Sequence, residues 1–407
     1  MTGMWDETEA MGTRQLNKLQ RDPTPSTNRR LTMQKRAFWN TVASARGTVL
    51  MALLTAVSAG DALADRDDRD SALLPAPVIV SSTVPLNGDL NPYGVVFVPK
   101  DFARSGTLKA GDLLVSNFNN NQNLQGTGTT IVKIVPSGTP QVFFAGSAGL
   151  GLTTGLVALR SGFVIVGNMP SADGTSATVQ PGSILVLNAQ GARVAEWTSA
   201  QHPLVNGPWD MAVHDEGDRA KLFVSNVLGG TVVRFDLDIR NGNVTIGRAV
   251  QIASGYMHRG DPAALEVGPT GLVYDARRDR LYVASTADNT IFAIADAGTS
   301  SADVGRGTVV FQDNVHLHGP LALALGPNGH LFASNSDVIN SDPAHPSEIV
   351  EFTANGRFIA QLSVDPAQGG SFGLGFLRMS DDAVRFAAVD DNTATIMVWT
   401  LPFEASH

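Results

Sequence analysis

From Asn91 onward, short apolar runs alternate with clusters of Gly, Pro, Asn and Asp. Runs this short, rich in β-branched and aromatic residues and closed by turn formers, predict strands rather than helices. The runs also repeat. Six lead-ins resemble one another: NPYGVVF (91–97), LTTGLVA (152–158), GPWDMAV (207–213), GPTGLVY (268–274), GPLALAL (319–325) and GSFGLGF (370–376). Their glycine-equivalent positions, Gly94, Gly155, Asp210, Gly271, Ala322 and Gly373, are spaced by 61, 55, 61, 51 and 51 residues. Each lead-in is followed by a second phrase, as in LLVSN (113–117), LFVSN (222–226) and LFASN (331–335), and by a third, as in TVVRF or TIFAI. A fourth apolar phrase closes five of the six units. Four short strands per unit at this period predict an all-β, six-bladed β-propeller. A pair of sandwiches would not repeat one phrase six times. The expected blades span about 91–147, 148–201, 204–256, 266–314, 316–366 and 369–401.

The sixth unit lacks its fourth strand, because only PFEASH follows TIMVWTL. The missing strand is expected from the other end of the fold. PAPVIVSSTV (75–84) precedes the first lead-in, and its stretch 77–84 would pair as the outer strand of blade six and close the ring.

Residues before the repeat follow a different pattern. Lys35 and Arg36 precede the apolar run GTVLMALLTAVSA (47–59), and Ala62-Leu63-Ala64 then offers a small-x-small cleavage site. A basic segment, a short apolar core and such a site predict a signal peptide over 33–64. The apolar run is shorter than the roughly 20 residues that a membrane span needs. Residues 1–32 read as a polar extension upstream of a second start at Met33, and the charged stretch 65–76, which opens with DRDDRD, as a solvated linker. The protein is therefore expected in the periplasm or secreted, with no membrane span once the signal is removed.

At this point the residues carry a resemblance. GPTGLVYD with RLYVASTADNTIFAI (280–294) resembles an NHL-type repeat, and the stretch 77–401 resembles the NHL-repeat and gluconolactonase-like propellers as a superfamily, including exported bacterial members. The resemblance implies six blades. It also implies that activity can differ widely within the fold, from lactonases and lyases to pure binding modules. In the gluconolactonase-like enzymes a metal sits at the channel mouth on Asn and Asp side chains.

Composition narrows the chemistry. The chain has no cysteine, which excludes disulfides, thiolate metal sites and cysteine nucleophiles. Its net charge is −9 over 407 residues, and nothing suggests a basic face for nucleic acid. Residues 1–64 hold 8 of the 29 basic and 5 of the 38 acidic residues, so the mature chain carries −12.

Chain direction places the lead-ins, the loops between second and third strands and the inter-blade connectors on one face, the top. Three of those loops are long, 118–129, 169–182 and 336–347, in blades one, two and five. Long loops on a rigid scaffold favour binding. The residue before each glycine-equivalent should ring the channel mouth: Tyr93, Thr154, Trp209, Thr270, Leu321 and Phe372. Tyr93, Thr154, Trp209, Thr270 and Phe372 are the ligand-binding candidates. Aromatic rings there either stack on a flat ligand or plug a tapering channel. None of the six is Asp, Asn, Glu or His, and Asp210 in the neighbouring slot is the one nearby carboxylate and the catalytic candidate. His202, His258 and His318 lie in the connectors into blades three, four and five, and form a candidate site for Zn²⁺ or Ca²⁺, with Asp210 or Asp261 in support. Asn117, Asn168, Asn226, Asn335 and Asp390 end the second strand in five units, with Thr286 in the other, and are read as turn-holding groups. Gly369–Gly373 matches G-x-S-x-G, but it leads into a strand where a nucleophile elbow needs a helix.

Two functions follow. One is an exported binding module presenting its loops to a small molecule, glycan or protein, as a monomer. The other is a metal-dependent hydrolase or lyase at the top of the channel. Whether the protein is an enzyme is open at this level. Expression in an exporting bacterial host is expected to yield a mature chain beginning near Asp65; an intact mass retaining residues 33–64 would refute the signal assignment.

Overall fold

The computed structural model describes residues 72–75, 81–103, 106–135 and 138–402. The predicted extension and signal peptide, most of the linker, and residues 77–80 of the proposed closing strand lie outside the described residues. No described helix is long and apolar enough to cross a membrane.

Six antiparallel four-stranded sheets form the blades, and in five of them the strands run outward in chain order from A to D. Blade one comprises Leu90–Phe97, Leu113–Asn119, Thr130–Lys133 and Gln141–Ala145. Blade two comprises Leu152–Leu159, Phe163–Asn168, Ser183–Asn188 and Arg193–Thr198. Blade three comprises Pro208–Asp215, Arg219–Asn226, Thr231–Arg240 and Asn243–Ser254. Blade four comprises Pro269–Asp275, Arg280–Ser285, Thr290–Ala295 and Thr308–Phe311. Blade five comprises Pro320–Leu325, Leu331–Asn335, Glu348–Phe352 and Phe358–Ser363. Blade six has Ser371–Arg378, Ala383–Asp390 and Thr395–Pro402, and its outer strand comes from the N-terminal side, with Ser81 paired to Ile396 and Ser82 to Thr395. That pairing closes the ring. Thr83 tightens it, its backbone N–H and its hydroxyl both donating to the Ala394 carbonyl.

The strand pattern explains the packing. Strand B of blade three buries Leu222 and Val224 against blade two and Phe223 against blade four. Strand B of blade five likewise sends Leu331 and Ala333 to blade four and Phe332 to blade six. Period-two alternation therefore aims successive side chains at the two neighbouring blades. Both faces of each inner sheet are buried, so the strands read as continuous apolar runs rather than alternating ones. One hydrophobic cluster fills each of the six blade interfaces. A seventh lies on the axis and belongs to the site described below.

Each strand A carries a register irregularity at its lead-in, for example between Pro208 and Met211 and between Pro269 and Leu272. Such bulges re-aim side chains. Here they turn the ring residue to the axis and the next residue toward the adjacent blade. At Gly373 a Cβ would stand 2.1 Å from the Tyr93 carbonyl oxygen of blade one. Strand B then staples the contact. The Ser225 hydroxyl of blade three accepts the Asp210 N–H at 3.0 Å and donates to the Thr270 carbonyl of blade four at 2.6 Å. Ser116 makes the same link from Gly94 to Thr153. The asparagines that end strand B hold the connectors rather than the turns expected of them: Asn168 accepts from Gly151 N–H, Asn226 from Asn206 N–H and Asn335 from His318 N–H.

Gly373→Ala is expected to destabilise the fold by about 1–3 kcal/mol, the usual cost of overpacking. Gly138→Ala, whose added carbon would meet only Val135 at 3.6 Å, should stay within about 0.5 kcal/mol. Equal effects in a denaturant titration would refute the contact argument.

Candidate functional site

The ring residues converge, but as a plug. Tyr93 stacks on Phe118 at 5.0 Å and meets Phe372 at 4.9 Å and Trp209 edge-on at 5.7 Å. Met169, Val227, Leu265 and Leu321 complete the cluster. Trp209 is 0 % exposed, and Thr154 and Thr270 are also buried. The Thr154 hydroxyl donates to the Trp209 carbonyl, and the Thr270 hydroxyl pairs with that of Thr286. Thr154, Trp209 and Thr270 therefore build the plug and present no surface to a ligand. Of the ring candidates, Tyr93 and Phe372 reach the cleft above it, together with Leu321.

That cleft has a volume of about 320 Å³. Asn119, Asn123 and Gln125 come to it from the long loop of blade one, and Ser336, Asp337 and Val338 from that of blade five. Asp391, from the turn after strand B of blade six, lines it as well. The blade-two loop contributes Met169 and Val179 to the plug instead.

The fourth wall was not legible as structure in the sequence. The connector into blade four folds as a small hairpin, Arg259–Asp261 against Leu265–Val267, and places Ala263, Ala264, Glu266 and Val267 on the cleft. Leu265 at its tip is 1 % exposed, packs into the plug and has φ +64°. That conformation is unusual for a leucine. The Gln125 side-chain amide fastens the hairpin by donating to the Ala263 carbonyl at 2.9 Å. The only sequence signal was the unusual length of this connector.

The electrostatics of the cleft are one-sided. It is lined by Glu266, Asp337 and Asp391 and by no Lys, Arg or His among the described residues. Burial pushes Glu266 up to about 7, with His258 opposing the shift. Burial, and then the charge of Asp390, pushes Asp391 to about 7. Asp337 is raised by burial against two backbone donors, Gly369 and Ser347.

Below the plug, Asp210 lines a channel void of about 60 Å³. Its Oδ1 accepts the Met211 N–H at 2.8 Å, and its Oδ2 accepts the Leu272 N–H of blade four at 2.9 Å. Burial outweighs both donors and raises its carboxyl to about 7. The plug separates it from the cleft, so this carboxylate bridges two blades rather than serving the candidate site.

The histidine site is corrected by the structure. His318 is buried, and both its ring nitrogens face backbone carbonyls, those of Asn340 and Val315. His258 is exposed, with Nδ1 on the Tyr256 carbonyl. Among the described residues, no group of three or more His, Asp or Glu side chains is arranged to hold a metal ion. His202, His258 and His318 therefore do not fit the Zn²⁺ or Ca²⁺ site, nor do the ring residues fit the metal of the gluconolactonase-like enzymes. Ser371 of the G-x-S-x-G stretch is fully buried at the start of a strand and is no nucleophile.

No protein-family model matches the chain, and no curated protein does. Several solved structures are similar. A luciferin-regenerating enzyme aligns over 81 % of this chain and 97 % of its own, at 12 % identity and a TM-score of 0.47. The calcium-binding protein regucalcin from Agrobacterium tumefaciens aligns over 82 % and 97 %, at 12 % identity and 0.49. A protein of unknown function from Bacteroides thetaiotaomicron aligns over 80 % and 76 %, at 9 % identity and 0.48. The assignment of the fold rests on the six sheets themselves.

Asp210 predicts a pH dependence. Its folded value, about 7, lies above its ordinary 3.8, so the folded state holds the extra proton between them. Stability from this group is present at low pH and is lost as pH rises toward 7. Asp210→Asn is expected to flatten the fall in stability between about pH 4 and pH 7, whatever its effect at a single pH. An unchanged slope in urea titrations would show that the group is not a buried acid.

Proposed function

We propose that the protein is an exported binding module that takes a small molecule into the top-face cleft, acting as a monomer. The observation that carries this reading is the cleft itself. Its floor is apolar and aromatic, from Tyr93, Leu321 and Phe372, while its walls are polar and come from separate loops. An apolar base with a few placed polar groups is the usual make-up of a small-molecule site. Three loops that sequence alone would allow as idle insertions instead have two in the walls and one packed into the plug that carries the floor. The metal-dependent hydrolase reading has no such support, since its donor set does not assemble.

A thermal-shift screen of the mature chain tests the proposal. A ligand at 100 times its Kd should stabilise the fold by about 2.7 kcal/mol. Filling the cleft with Ala264→Trp, or removing its floor with Phe372→Ala, is expected to abolish the shift. Ligands that stabilise both variants as well as the wild type would place binding elsewhere and refute the reading.

A further inference from the structure

The cleft is built from hydrogen-bond acceptors that lack donors. Three residues that line the cleft are nearly buried, Asn91 at 8 % exposed, Asn119 at 2 % and Asp337 at 9 %, and each keeps a buried side-chain oxygen without a hydrogen-bond partner in the cleft wall: Asn91 Oδ1, Asn119 Oδ1 and Asp337 Oδ1. An unmade buried hydrogen bond costs about 1–3 kcal/mol, so three on one cavity are a costly arrangement without an occupant. The hydrogen bonds around two of them fix the free oxygen as an acceptor. The other Asp337 oxygen is already taken by the Ser347 and Gly369 N–H groups. The Asn119 amide nitrogen is likewise spent, on Asn123 Oδ1 at 2.7 Å.

The carboxylates point the same way. Glu266 is 7 % exposed, and neither it nor Asp391 receives a side-chain hydrogen bond from any described residue. No cationic side chain lines the cleft to balance them. Nearby imidazoles act on them only from outside its walls: His258 on Glu266 and His318 on Asp337. The floor adds aromatic rings, and the negative face of a ring attracts cations.

From these residues we infer, resting on the reading of the cleft as a binding site, that its ligand is a small organic ammonium ion. Its N–H groups would satisfy the orphan acceptors, its charge would offset Glu266 and Asp391, and its carbon chain would lie on Tyr93 and Phe372. A bare metal ion fits less well, because the acidic groups are dispersed around the cleft rather than focused on one point. The volume, about 320 Å³, is that of a small-molecule cleft and leaves room for a short amine or diamine.

Calorimetric titration of the mature chain with 1,4-diaminobutane and butylamine, against 1,4-butanediol, glucose, succinate and Ca²⁺, provides the test. At least one ammonium probe should bind ten-fold or more tightly than every neutral and anionic probe. Glu266→Gln and Asp391→Asn should each weaken it by about ten-fold while melting stays cooperative; either variant suffices if the other does not fold. A second readout is proton uptake or release. Binding a cation should lower the pKa values of Glu266 and Asp391, so the observed enthalpy should change with the ionisation enthalpy of the buffer.

The inference is overturned if no ammonium probe binds at 10 mM, or if the diol or succinate binds as well as the diamine. Tight binding of Ca²⁺ that excludes the amines would overturn it too. If glucose binds and Phe372→Ala removes it, the binding-module reading stands and the ammonium assignment alone fails.

Discussion

The molecule depends on how closely six inner strands can approach one another around the channel. At Gly94, Gly271 and Gly373 an added Cβ would lie 2.7, 2.6 and 2.1 Å from the ring-residue carbonyl of the neighbouring blade. No side chain fits there without the blades moving apart. The hydrophobic interfaces fix the blade spacing, and these backbone contacts set its inner limit. Blades three and five depart from the rule, with Asp210 and Ala322 in the glycine slot, and blade three shows how a larger group is accommodated. Asp210 occupies the glycine slot and spans the gap, bonding the Leu272 N–H of blade four instead of displacing it. Its carboxyl replaces a backbone contact with a charge-capable bridge at the cost of desolvation.

That constraint positions the site. Once the inner strands are fixed, each bulge delivers one side chain to the axis at the same height. Small residues there would leave an open channel. Here Tyr93, Trp209, Leu321 and Phe372, joined by Phe118 from strand B, fill it. The same aromatic contacts that seal the channel provide a rigid, low-entropy floor. What lies above is then decided by loop length alone. Short loops leave the plug bare, whereas the loops of blades one and five and the hairpin before blade four rise around it.

Much of this was legible in the sequence because repetition multiplies weak signals. A single LFVSN is an ordinary strand end. Its recurrence in LLVSN and LFASN predicts the strand, which the structure shows, whereas the asparagine, read as holding the turn, bonds the incoming connector instead. The serine before that asparagine went unread, although it links adjacent blades through Ser116 and Ser225. Its role depends on a neighbouring blade about 40 residues away, and no local pattern reports that. The histidines failed for the opposite reason. Sequence could place His202, His258 and His318 on one face but not at one radius or rotamer, and His318 turns inward to two carbonyls. The cleft residues Glu266, Asp337 and Asp391 sit in non-repeating positions, which repeat analysis discards by construction.

The hairpin shows how function and strain meet in this fold. Leu265 is held at φ +64°, a conformation that costs on the order of 1–3 kcal/mol for such a side chain. Burial of the leucine in the plug offsets part of that, since a fully buried leucine contributes about 1.5–3 kcal/mol. Next to it in the chain, Glu266 is carried into the cleft wall, away from bulk water and without a donor of its own. A connector selected only for stability would place neither group this way, because a short turn such as those of other blades avoids both. The anchored leucine fixes the height of the hairpin, and the hairpin fixes the glutamate. A side chain that looks like core packing therefore sets the charge of the cleft.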